Sequence, residues 1–164
     1  MNHPISLSLT LVGQSHALLK FQLGVVNRAA FPLLLPTPKI TGIQFESIFD
    51  KRRAEWLTSL LVSTAEICDI VLQPAQTRHF EFRVRPDQIE PSRTDALDDY
   101  YRYCIDIRPG EYLAHYQLEI GTNYFDPDSH VELPDLERMA KEKNSIVWLG
   151  RAESNRIRVM YTDG

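Results

Sequence analysis

The stretch RPGEYLAHYQLEIGTNYF, residues 108–125, decides the fold. It opens on Pro109-Gly110, a turn signal, and then keeps a period-two rhythm for about a dozen residues. Tyr112, Ala114, Tyr116, Leu118 and Ile120 fall on one side; Leu113, His115, Gln117 and Glu119 fall on the other. Successive side chains of a strand point to opposite faces, so this is a strand with one greasy and one wet face. The tyrosine row is expected to wall a core rather than to floor a ligand site.

The same rhythm runs outward in both directions. Ile5, Leu7, Leu9 and Leu11 alternate with Ser6, Ser8 and Thr10, and Gly13-Gln14-Ser15 reads as a turn. Leu19, Phe21, Leu23 and Val25 form a second alternating run. Leu33, Leu34 and Leu35 lie between Pro32 and Pro36, which restricts them to an edge strand or an ordered loop, because proline cannot donate to a ladder. Ile43, Phe45 and Phe49 suggest a further strand, with a turn over Asp50, Lys51, Arg52 and Arg53. Residues 56–72 mix β-branched residues with helical spacings and are read as strands. Phe80, Phe82 and Val84 alternate clearly, as do Ile157, Val159 and Tyr161 near the end, and Tyr103, Ile105 and Ile107 lead into the opening stretch.

Two segments break the rhythm. Residues 85–99 are acidic, contain Pro86 and Pro91, and read as a surface loop ending in a helical turn at 97–101. Residues 126–144 are a polar insertion with a short helix. Pro134 and Asp135 stand near its start and Lys141 and Lys143 near its end, as the helix dipole favours.

Roughly seven to nine short strands, spaced by turn signals, indicate an all-β antiparallel sandwich. It is expected to be a single domain over 1–164, with loop insertions at about 85–99 and 126–144. Gly110-x-Tyr112 opening a strand after a loop resembles the tyrosine corner of immunoglobulin-like domains, where a tyrosine hydroxyl bonds back to the loop and pins a Greek-key crossing. Ala114 occupies the place where antibody domains put a cysteine, so no inter-sheet disulfide is expected.

Four segments carry a wider resemblance: FQLGVVNRAAFPLLLPTP, then IFDKRRAEW, then LQPAQTRHFEFRV with RPGEYLAHY, and VWLGRAESNRIRVMY. Together they resemble the non-catalytic, immunoglobulin-like β-domain that precedes the protease domain in deuterolysin-type and peptidyl-Lys metalloendopeptidases, and its stand-alone bacterial relatives. The catalytic half of those proteases carries HExxH. Here none of His3, His16, His79, His115 and His130 begins such a motif. The resemblance implies a fold and an inhibitory, chaperoning or substrate-presenting role, and no catalytic residue.

Composition bounds the alternatives. Net charge is −4, and the basic groups Lys51-Arg52-Arg53 and Arg151, Arg156 and Arg158 are short and interrupted by acids, so no nucleic-acid partner is expected. No apolar run is long enough to span a bilayer, and no membrane contact is expected. The first residues lack a basic start and a cleavage site, so a cytoplasmic location is expected. Cys68 and Cys104 have no metal-ligand spacing and are expected to be buried, reduced thiols in a cytoplasmic chain, with a single disulfide as the alternative in an exported one.

Asp126, Asp128, His130, Glu132 and Glu137 have offsets like those of a calcium loop. Val131 replaces the glycine that such a loop needs at its sixth position, so a solvated acidic loop is expected and no metal or cofactor. Ser63 and the cysteines have no recognisable base, and Asp95, Asp98 and Asp99 read as a hydrated loop, so no enzyme is expected.

Trp148 is expected to plug one end of the core, with Gly150 permitting a bend and Ser154 and Asn155 bonding to local backbone. With Gly110 and Tyr112, Trp148 and Asn155 are the structural residues of this reading. The partner-binding candidates are Tyr124, Phe125, Asp126, Asp128, Glu132 and Arg138, because loops at the end of a rigid sandwich carry recognition. They belong to extra material that a minimal sandwich does not need. The expected function is protein binding. The alternatives are a small-ligand or divalent-metal site at Asp126, Asp128 and His130, and a structural subunit, a homodimer included, that assembles through the edge strand 156–162.

Overall fold

The computed structural model describes residues 4–15, 18–58, 69–84, 103–126 and 130–162. The strands are, in chain order, β1 (Ile5–Ser15), β2 (Leu18–Asn27), β3 (Leu33–Pro36), β4 (Ile43–Ser47), β5 (Trp56–Thr58), β6 (Asp69–Leu72) and β7 (Thr77–Val84). They continue as β8 (Tyr103–Ile105), β9 (Gly110–Ile120), β10 (Phe125–Asp126), β11 (Val131–Glu132), β12 (Ile146–Val147), β13 (Gly150–Glu153) and β14 (Ile157–Tyr161). The helix α1 (Leu133–Glu142) stands between β11 and β12. The chain is therefore mostly β, with one α-helix among the described residues.

Two sheets supply much of the core, to which β3, β6 and α1 also contribute. β2 lies between β1 and β7, antiparallel to both. β9 is flanked by β4 on one side and by β13 and β14 on the other, all antiparallel. The alternation read from the sequence sends Leu19, Phe21, Leu23 and Val25 of β2 inward, and Tyr112, Ala114, Tyr116, Leu118 and Ile120 of β9 inward to meet them. Phe21 meets Phe45 edge-on at 5.7 Å, and Phe82 stacks on Tyr116 at 5.8 Å, so aromatic rings from the two sheets interlock. Burying each such side chain contributes about 1.5–3 kcal/mol.

The turn read at Gly13-Gln14-Ser15 is instead the continuation of β1, which absorbs a register shift between Leu11 and Gly13 and stays paired as far as Ser15. A bulge lets the strand bend without ending.

A second difference concerns β3. It is the middle strand of its sheet, parallel to β12 and antiparallel to β6, not an edge. The prolines sit at its ends, so neither removes a donor from the middle, and the Pro32 carbonyl accepts from Ile146 N at 3.1 Å. Leu33, Leu34 and Leu35 are all buried.

Phe49 does not join a strand. It lies in the turn after β4 and is 96% exposed.

Within residues 56–72 the two described ends, β5 and β6, are strands; the rest, with Ser63 and Cys68, lies outside the described residues. So do residues 85–102, with their acidic loop and the turn read at 97–101, and His3 and His16. Among the described residues no helix is long and apolar enough to cross a membrane.

Asn27 ties the sheets at one end. It is fully buried, and its Nδ2 donates to the carbonyls of Phe31 at 2.9 Å and Leu72 at 2.8 Å. Its Oδ1 accepts from Ala29 N at 2.8 Å. One side chain thus links the end of β2, the proline-rich crossing and the end of β6.

Candidate functional site

The insertion folds back on the sandwich. β10 pairs with β11, setting Phe125 opposite Glu132 and Asp126 opposite Val131. α1 starts with Pro134 in its first turn and holds Asp135 there, while Lys141 stands in its last turn. Asp135 accepts from Glu132 N at 2.9 Å, which satisfies a helix-start amide. Val131, Leu136 and Ala140 are buried with the main core. The segment read as dispensable extra material therefore contributes apolar surface to the core, because α1 is amphipathic and lays one stripe inward.

The candidate partner residues divide into anchors and exposed groups. Asp126 is an anchor: its carboxylate meets Lys39 Nζ at 2.5 Å and its side chain is only 12% exposed. Tyr124 is half-buried, and burial, with Asp126 beside it, pushes its phenol up to about 12. Phe125 is 50% exposed, and its ring lies 6.0 Å from the His130 ring. Glu132 and Arg138 are exposed, and Arg138 donates to Asp135 at 3.2 Å. Asp128 lies outside the described residues. Among the described residues no three His, Cys, Asp or Glu side chains are grouped to hold a metal ion. Asp126 faces a lysine, and His130 packs toward Phe125.

The residues read as structural lie elsewhere. The Tyr112 hydroxyl donates to Arg108 O at 2.7 Å and accepts from Arg108 N at 3.0 Å, closing the turn that carries Pro109 and Gly110. Gly110 has φ +152°, a conformation L side chains rarely adopt. Trp148 is buried, and a Cβ on Gly150 would sit 3.3 Å from its ring.

Ser154 keeps the expected bond to local backbone, its Oγ donating to Asn155 O at 2.8 Å, whereas Asn155 differs from its sequence reading. Between β13 and β14, Ser154, Asn155 and Arg156 stand across from His115 and Tyr116, so the strand bulges. Ser154 pairs with Tyr116, its N donating to Tyr116 O at 2.9 Å and its Oγ accepting from Tyr116 N at 2.7 Å. The bulge aims Asn155 at the opposite sheet. There its Oδ1 accepts from Leu9 N at 2.8 Å and its Nδ2 donates to Leu9 O at 3.0 Å. The carboxamide acts as a stand-in peptide group on the outer edge of β1, far from local backbone. Gln14 of β1 also donates to Met160 O, so the edge of β14 is partly covered.

His115 belongs to the face expected to be wet, yet it is 4% exposed, although it points away from the core. Burial first, then the charge of Arg156, holds its imidazole below the ordinary value. Glu153, Arg53 and Glu46 are the other charges around it. A histidine at the position faced by a bulge has no signature in one sequence, so its covering by neighbouring strands was not legible. No family model, curated protein or solved structure matches this chain.

Proposed function

We propose that the chain is a non-catalytic protein-binding module built on an immunoglobulin-like β-sandwich, acting as an inhibitor, chaperone or immunity-type partner of a peptidase or toxin. One observation carries this reading. Phe125 presents a half-exposed ring on a platform fastened from below by the Lys39–Asp126 pair and by Val131, Leu136 and Ala140. An aromatic anchor held rigidly loses little freedom when it is buried by a partner, and such anchors dominate protein interfaces. Glu132, His130 and Arg138 supply a polar surround of the kind that excludes water from a hot spot.

The immunoglobulin-like part of the reading is supported by the Tyr112 hydroxyl, which bonds back to Arg108 as a tyrosine corner does. The resemblance to the peptidase-associated β-domain supplies the class of partner.

Affinity capture from the source lysate with the wild-type chain and with Phe125→Glu tests the proposal. A stoichiometric protein is expected on the wild type and is expected to be lost on the variant, with melting temperature unchanged. Equal recovery on both, or no protein on either, contradicts it.

A further inference from the structure

The turn between β4 and the bridge at Arg53 is over-built for a connection. Lys51 N donates to Ser47 O at 2.9 Å, Ser47 N to Arg52 O at 2.8 Å, and Ala54 N to Phe45 O at 2.9 Å. Asp50 accepts from Arg52 N at 3.1 Å, and that amide chiefly holds its carboxyl below the usual carboxylate value. Ile48 N donates to Glu111 O at 3.0 Å, which fastens the turn to β9. Lys51 adopts φ 62°, an uncommon conformation for a residue with a side chain.

All this holds Phe49 in open solvent, at 96% exposure, where it contributes nothing to the core. Lys51, Arg52 and Arg53 follow it and are all exposed, and Arg108 is exposed on the adjoining turn. Asp50 is engaged by the turn itself, and Glu111 faces Arg158 at 3.9 Å. Residues 49–53 thus carry three basic side chains against one acid, Asp50, which Arg52 Nε also faces at 3.6 Å, in a chain whose net charge is −4.

We propose that this tip is a contact site for an anionic lipid bilayer surface, with the Phe49 ring entering the headgroup boundary and Lys51, Arg52 and Arg53 meeting lipid phosphates. The shape favours a bilayer over a protein face. A convex tip brings no second apolar wall, so a rigid surface covers little of the ring, whereas a fluid interface closes around it. Aromatic and basic side chains on one element are the combination that such interfaces select. Peripheral contact of this kind needs no bilayer-spanning length, the criterion on which the sequence excluded membranes. It is also independent of Phe125, so either proposal stands or falls alone.

Co-sedimentation with extruded vesicles tests it, comparing phosphatidylcholine alone with phosphatidylcholine containing about a third phosphatidylglycerol. The wild type is expected on the anionic vesicles at low salt, not on the neutral ones, and is expected to dissociate at about 0.5 M salt. Phe49→Ser is expected to weaken partition by about tenfold or more. Each of Lys51→Glu and Arg52→Glu is expected to weaken it about fivefold or more. Circular dichroism and melting confirm that these exposed substitutions leave the fold intact, and Val12→Ser, at a half-exposed apolar residue of β1, serves as the variant that keeps wild-type partition. Absence of wild-type binding to anionic vesicles, equal binding to neutral ones, or full retention by Phe49→Ser overturns the proposal. In the first case the tip is free to dock a protein socket instead.

Discussion

Replacing Asn27 gives the sharpest test of how the sheets are joined. The side chain is fully buried and makes three hydrogen bonds, to Phe31 O, Leu72 O and Ala29 N. Each is worth about 0.5–1.5 kcal/mol net, and a buried group left without its partner costs about 1–3 kcal/mol. Asn27→Ala strands two carbonyls and one amide, so a loss of about 3–5 kcal/mol is expected.

Asn27→Asp refines the argument. A carboxylate still accepts from Ala29 N but offers the two carbonyls no donor, so at pH 7 the loss is expected to match or exceed that of Asn27→Ala. Protonation restores one O–H donor. The folded-state pKa of the new carboxyl is therefore raised above its unfolded value of about 3.9. Stability from a raised pKa is present at low pH and is lost as pH rises through the folded value. Asn27→Asp should accordingly close part of its gap to wild type between pH 7 and pH 5, while Asn27→Ala should not. Urea titration followed by tryptophan fluorescence, with m-values compared, reads both effects. A loss below about 1 kcal/mol for Asn27→Ala, or a gap for Asn27→Asp that widens on acidification, refutes the reasoning.

Other substitutions probe the remaining joints. Asn155→Ala removes both bonds to Leu9 and should cost about 1–2 kcal/mol, with faster hydrogen exchange at the Leu9 amide. Leu136→Ala should cost about 2–5 kcal/mol in denaturant titration, because α1 is part of the core; a change near zero would make the insertion an independent appendage. Gly42→Ala would place a Cβ 2.3 Å from the buried Tyr116 ring and should lower the melting temperature, by an overpacking cost of about 1–3 kcal/mol. His115, held below its ordinary value, leaves the unfolded chain to take up a proton first as pH falls through about 6.5. Stability should thus decline on acidification there, and His115→Gln should flatten that slope in melting curves taken from pH 7 to pH 5.

The strands were legible where one face is wet and the other buried. β2, β7, β9 and β14 carry that alternation, and the helix announced itself through Pro134, Asp135 and Lys141. β3 was misplaced because the rule against proline in a ladder concerns the middle of a strand, and Pro32 and Pro36 stand at the ends. Phe49 matched the spacing of Ile43 and Phe45, yet β4 ends at Ser47 and the turn already begins at Ile48, which throws the ring into solvent.

The joints between sheets were hidden for a different reason. Asn27 and Asn155 act on partners distant in the chain, Leu72 and Leu9, and a single sequence does not reveal which backbone edge comes within reach of an amide. Of the candidate site, the exposure of Phe125 could be expected from its place at the edge of a polar insertion. That Asp126 is fixed by Lys39 depends on a contact across 87 positions that no spacing discloses.

Phe125 is the residue that the proposed partner is expected to cover. A photo-crosslinking amino acid placed at that position, with an equivalent probe at the exposed Glu119 of β9, should be irradiated in source lysate. One discrete, heavier protein adduct from position 125 and none from position 119 is the predicted result. The same adducts from both positions, or none from 125, would contradict it.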